Sequence, residues 1–184
     1  MYRRVNWSNV ILFPYPIIMK NVFTLLLILS PALLSAQSLQ LQDSTLFDFW
    51  IGDWELTWTN AEGKKEKGNN HIVKILDGKV NQENFSFAWG SFKRMSISVY
   101  NLSTKIWHQA WVDTQGGYFD FVGQVEGNKR MFQTHVREEN GQRIIQRMVF
   151  YNIEQNSLTW DWESTRDGGA TWQLLWRINY KRKI

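Results

Sequence analysis

The chain of 184 residues contains no cysteine. Disulfides, thiol catalysis and thiolate metal sites are therefore excluded. So is lipid attachment behind a cleaved leader, which needs a cysteine. Excess charge is also missing where it would matter. Arg3, Arg4 and Lys20 precede Gln37 and no acidic residue does, so 18 of the 21 basic residues and all 17 acidic ones belong to residues 37–184, a net of +1. A domain this close to neutral gives no electrostatic case for nucleic acid or an anionic membrane surface. No G-x-S-x-G elbow, Walker loop or glycine-rich dinucleotide loop is present. The histidines, His71, His108 and His135, show no H-x-H or H-E-x-x-H spacing, so neither a metal nor a cofactor is expected. What the chain does have is aromatic bulk. With 43% apolar and 15% aromatic residues, it can bury a real core, which excludes disorder.

Residues 1–36 read as an address. Lys20 is followed by the apolar run Val22-Phe-Thr-Leu-Leu-Leu-Ile-Leu29, then Ser30-Pro31 and the small-residue end Leu34-Ser-Ala36. A positive start, a short apolar stretch and a small-residue cleavage point form a secretory signal peptide. The run is shorter than the roughly 20 residues of a spanning helix. Met19 stands where such a leader would begin, so residues 1–18 are an over-called start or an extra leader. An uncleaved N-terminal anchor is the alternative. The expectation is an exported protein, periplasmic or secreted, cut after Ala36 and free of the membrane afterwards.

Residues 37–184 read as one all-β domain. Period-2 alternation, cut at short intervals by turn residues, marks strands near 53–59, 67–76, 79–89, 93–101, 105–113, 117–124, 129–137, 142–152, 157–164 and 171–181. Glycine-bearing turns such as Asp77-Gly78, Gly116-Gly117 and Asn140-Gly141 suit tight hairpins. One helical turn is expected around Leu46–Ile51. About ten short hairpin-linked strands without a βαβ crossover point to a single up-and-down antiparallel β-barrel.

Face assignments supply the site argument. In the fifth strand Trp107, Gln109, Trp111 and Asp113 share one face, opposite Ile106, His108, Ala110 and Val112. In the third, Glu83 shares a face with Phe85, Phe87 and Trp89, and in the ninth Leu158, Trp160 and Trp162 oppose Asp161 and Glu163. Several strands are bulky on both faces, so pattern alone leaves the inner face open. For the fifth strand we expect the tryptophan face inward, with Gln109 orienting a guest; core packing around a satisfied amide is the rival reading. Glu83 and Asp113 lie on aromatic faces, where a carboxylate is costly unless paired or bonded. They would serve as an acid/base or ligand acceptor. Otherwise they pair with Arg147 or Arg94, or stand in water at the barrel mouth. The expected lining set is Glu83, Tyr100, Trp107, Gln109, Trp111, Asp113, Arg147 and Glu163.

Phe47-Asp-Phe-Trp-Ile-Gly-Asp-Trp54 ends in Gly52-x-Trp54, which resembles the G-x-W start of lipocalins and fatty-acid-binding proteins. The resemblance implies a helical turn before the first strand and a Trp packed at the closed end of the barrel. It also implies a basic residue of the last strand over that Trp, for which Arg177 is the match. More closely, the chain resembles secreted bacterial lipocalin-like proteins of unknown function. Its marks are the F-W-x-G-x-W start, Ile75-Leu-Asp-Gly78, Trp107-His-Gln-Ala-Trp-Val-Asp113, and Glu163 followed by Asp167-Gly-Gly-Ala-Thr-Trp172. The resemblance implies a small barrel and no particular activity. Haem-binding barrels of the nitrobindin kind are a poorer match, because their G-x-W-x-G-x-G start is missing. Ser164–Trp172 fits the Asp-box pattern of sialidase propellers, but a lone copy reads as a well-made hairpin.

The functional expectation is a barrel that binds one small apolar or aromatic molecule in its lumen. Two alternatives stay open. One is an isomerase, cyclase or hydrolase using Glu83 or Asp113 as acid/base; the other is a glycan binder with exposed tryptophans.

Overall fold

The computed structural model describes residues 43–88 and 91–183. The leader expected over 1–36 lies outside them, as does Trp89 at the end of the third expected strand. Asp43 caps the entry turn by accepting the Thr45 backbone N–H, and a 3-10 turn at Asp48–Trp50 then leads into the first strand. Eleven strands follow: β1 Gly52–Thr59, β2 Lys65–Ile75, β3 Val80–Phe87, β4 Lys93–Asn101, β5 Ile106–Asp113, β6 Tyr118–Glu126, β7 Lys129–Gln133, β8 Arg137–Glu139, β9 Gln142–Tyr151, β10 Ser157–Thr165 and β11 Gln173–Arg182.

Each strand pairs antiparallel with its neighbour from β1 to β7. Then β7 pairs with β9, β9 with β10, β10 with β11, and β11 returns to β1. Ten strands therefore close a barrel, and closure leaves no free edge at the seam. The expected strand at 129–137 is split into β7 and β8. Thr134 N still bonds Gln146 O, but β8 pairs only with β9, from Arg137↔Ile144 onward. Between those points 135–136 on one side oppose Ile145 alone, so an extra residue bends the strand away from β6.

Alternation sets the inner face along β1. Trp54, Leu56 and Trp58 of β1 are buried, while Asp53, Glu55 and Thr57 between them are exposed. One end of the barrel is packed solid. Phe47 stacks on Phe132 at 4.1 Å and meets Trp107 edge-on at 5.4 Å, while Trp50 packs edge-on against Phe150 at 5.1 Å. Such pairs add about 0.5–1.5 kcal/mol each beyond the area they bury. Gly68, opposite Phe87, leaves room for Trp58, whose ring would lie 3.2 Å from any Cβ there.

Trp54 plugs this end as the G-x-W start implies. Its Nε1 donates to Trp50 O at 2.8 Å. The covering cation, however, is Arg182 and not Arg177. Register decides this, since β1 and β11 pair Trp54 with Arg182. Arg182 lies over the indole and donates to Ile51 O at 2.7 Å, Phe49 O at 3.1 Å and Gln155 O at 2.8 Å. Gly52 is required beside it. Its φ is +130°, and a Cβ there would collide with the Arg182 guanidinium. Arg177 sits on the outer face, where Nε and Nη2 both donate to Asp161 at 2.8 and 2.7 Å.

Candidate functional site: the open end of the lumen

Inward residues of β4 descend from the mouth in the order Phe92, just before the strand, then Arg94, Ser96, Ser98 and Tyr100. Their partners across β5 are Asp113 for Arg94, Trp111 for Ser96, Gln109 for Ser98 and Trp107 for Tyr100. Alternation therefore stacks three layers: an aromatic plug at the bottom, a polar layer in the middle, and an apolar chamber at the top.

The polar layer is built on Glu83, which is 2% exposed. Its carboxylate accepts Asn70 Nδ2 at 2.7 Å and Ser96 Oγ at 2.8 Å. Gln109 Nε2 donates in turn to Ser96 Oγ at 3.1 Å and Ser98 Oγ at 2.9 Å. Asn70 also donates to the Tyr180 hydroxyl at 3.2 Å. Burial, with the Glu83 charge nearby, pushes the Tyr180 phenol far above its ordinary value, so it stays neutral. Arg94 Nη2 stands 3.8 Å from Glu83 Oε1, and both side chains are almost wholly buried. Three polar atoms of this layer have no partner: Asn70 Oδ1, Gln109 Oε1 and Arg94 Nε.

Above the layer lies a cavity of about 140 Å³. Phe92, Trp111, Phe119 and Phe121 line one side, and Met148, Trp160, Trp162 and Trp176 the other, with Arg94 the one charged lining residue. The walls pack on each other: Phe119 meets Trp111 at 5.4 Å and Trp162 at 5.6 Å, and Trp160 meets Trp176 edge-on at 5.8 Å. Apolar walls of this kind gain by burying an apolar guest.

The residues expected from sequence fall in different places. Trp107, Gln109, Trp111 and Asp113 do share the inner face, with His108, Ala110 and Val112 exposed on the other side. Of the eight expected lining residues only Trp111 reaches the cavity. Trp107 and Tyr100 belong to the closed end, where Trp107 Nε1 donates to Asp43 O at 2.9 Å. Glu83 and Gln109 form the polar layer beneath the chamber. Asp113 accepts the backbone N–H of Gln115 at 2.7 Å and of Gly117 at 2.9 Å, so it shapes the β5–β6 turn. Arg147 and Glu163 are a correction. They face each other across β9 and β10 next to Met148 and Trp162, which point inward, so they point outward. There Arg147 Nε donates to Glu163 at 2.7 Å and stacks 3.6 Å over Trp172. Their pairing is with each other, whereas Glu83 meets Arg94.

Sequence reading missed Phe92, Phe119, Phe121, Met148, Trp160, Trp162, Trp176 and, above all, Arg94 as parts of a site. The sequence carried no signal for Arg94, because it is in phase with the polar Ser96 and Ser98, while the apolar Met95, Ile97 and Val99 that pattern alone would turn inward lie on the outer face. The lone Asp-box closes the β10–β11 hairpin. Asp167 accepts Thr165 Oγ1 at 2.5 Å and Thr171 Oγ1 at 2.6 Å, which holds its carboxyl far below the usual carboxylate range. Of the histidines, His71 meets Asp53 at 2.6 Å on the outside, and His108 and His135 are exposed. Among the described residues no group of His, Asp or Glu converges to hold a metal.

Comparison of the chain with models of known protein families and with curated proteins found no match. The architecture is nonetheless that of a closed antiparallel barrel with one short turn before it, in keeping with a lipocalin-like or calycin-like fold.

Proposed function

We propose that the protein is exported and binds one small, largely apolar or aromatic molecule in the upper lumen of its barrel. The observation that carries this reading is the chamber above Arg94. At about 140 Å³ it matches the cavity size that takes a benzene-sized guest in an apolar interior. Seven of its nine lining side chains are aromatic rings.

Both rival readings have less support. Glu83 has both carboxylate oxygens engaged by buried donors and does not line the chamber, and Asp113 is spent on its turn. A glycan platform needs exposed tryptophans, and among the described residues every tryptophan is buried or half-buried.

Titration of the purified protein with toluene, followed by tryptophan emission and by indole N–H shifts, tests the reading. Saturable quenching with shifts confined to Trp111, Trp160, Trp162 and Trp176 is expected. A linear, non-saturating response would overturn it, and native mass spectrometry of protein taken from its own host would weigh any retained ligand directly.

A further inference from the structure

We propose that the natural guest is a single-ring aromatic acid whose carboxylate is received by Arg94. This rests on the lumen-binding reading and names its ligand class.

A guanidinium carries five N–H donors and no acceptor. Here it is buried, its side chain 5% exposed, and its Nε has no partner. The carboxylate nearest to it, Glu83, stands at 3.8 Å, an ion-pair distance but too long for a hydrogen bond. Glu83 does not need the Arg94 protons, because Asn70 and Ser96 already occupy its two oxygens. The barrel thus keeps a cation beneath its chamber with hydrogen-bonding capacity unspent. Unmet donors on a buried charge are costly, and an acceptor arriving from the chamber recovers that cost where the surroundings are least polar.

Aromatic rings hold the cation in place. Arg94 Cζ lies 3.8 Å from the Phe85 ring centroid, 5.1 Å from Trp160 and 5.4 Å from Trp176. These cation–π contacts attract the guanidinium without using its N–H groups as hydrogen-bond donors. The unpartnered Nε–H belongs to a planar donor fork, whose natural complement is a planar carboxylate. Volume and walls set the rest of the molecule. A space of about 140 Å³ takes one ring and refuses a long acyl chain, and rings on both sides favour a flat guest that stacks. An amine on that ring would meet Arg94 as a like charge.

Calorimetric and fluorescence titrations at neutral pH with benzoate, toluene and benzylamine test the proposal on the unaltered protein. Benzoate should bind at least about tenfold tighter than toluene, and benzylamine should not saturate. Arg94→Met together with Glu83→Leu exchanges the buried pair for apolar groups and avoids stranding a lone carboxylate. That double variant should lose the preference for benzoate over toluene. Toluene binding with no benzoate preference, or a preference that survives in the double variant, overturns this proposal alone. If none of the three saturates, the lumen reading falls as well.

Discussion

Arg182 Cζ stands 4.1 Å from the centroid of the Trp54 ring, with Gly52 beneath the guanidinium and three backbone carbonyls around it. One cation thus ties the last strand, the first strand and the entry turn together at the closed end. Trp54→Ala should cost about 3–5 kcal/mol, the usual range for a large buried aromatic. Arg182→Met should cost about 2 kcal/mol, from the lost carbonyl bonds and cation–π contact. Urea unfolding followed by tryptophan emission measures both. A loss below about 1 kcal/mol for Trp54→Ala would mean that the plug is not structural.

The buried pair in the polar layer makes a second prediction. Glu83→Leu leaves Arg94 charged and uncompensated, so it should destabilise by about 3–5 kcal/mol. Arg94→Met combined with Glu83→Leu should recover the part of that loss due to the stranded charge, while Asn70 and Ser96 still lack their acceptor. A double-mutant cycle by denaturant unfolding checks it, and strictly additive losses would show that the two side chains do not interact.

At the chamber, Trp111→Ala should weaken binding of an apolar single-ring probe by more than about tenfold, or 1.4 kcal/mol, because it removes one wall. Trp111 is only half-buried, so the far-ultraviolet circular dichroism should be unchanged. Equal affinity in the variant would move the guest elsewhere.

Asp167 gives a pH-dependent prediction. Its folded-state carboxyl is held below the unfolded value by bonds from Thr165 and Thr171. A depressed pKa contributes stability above the unfolded value, about 3.9, and that contribution fades as the pH falls toward the folded value. The stability difference between the wild type and Asp167→Asn should therefore be level from neutral pH down to about 5 and shrink below about 4. Thermal unfolding across this range measures it. A difference that grows on acidification would contradict the assignment.

Export predicts a new N-terminus. Protein recovered from outside the host cytoplasm should begin at Gln37 or within a couple of residues. Mature protein still carrying Lys20 would show that the leader is retained.

The alternation along single strands already determined which side chains share a face. Trp107, Gln109, Trp111 and Asp113 lie together because successive residues of a strand point to opposite sides, a property local to the chain. The turns were legible for the same reason, as was the Gly52-x-Trp54 start. Height along the barrel was not legible. Whether an inward residue lands in the plug, the polar layer or the chamber depends on the register between strands far apart in sequence. Register put Arg182, and not Arg177, over Trp54. It put Trp107 against Phe47 and left Trp111 beside Phe119. Faces on separate strands are likewise related only by closure. Arg147 and Glu163 are ordinary alternating positions until β9 and β10 pair and turn them outward together. Arg94 became distinctive only once the folded barrel surrounded it with rings from β3, β10 and β11. Composition set the aromatic content of the barrel, but long-range pairing decided where those rings leave a space and which charge faces it.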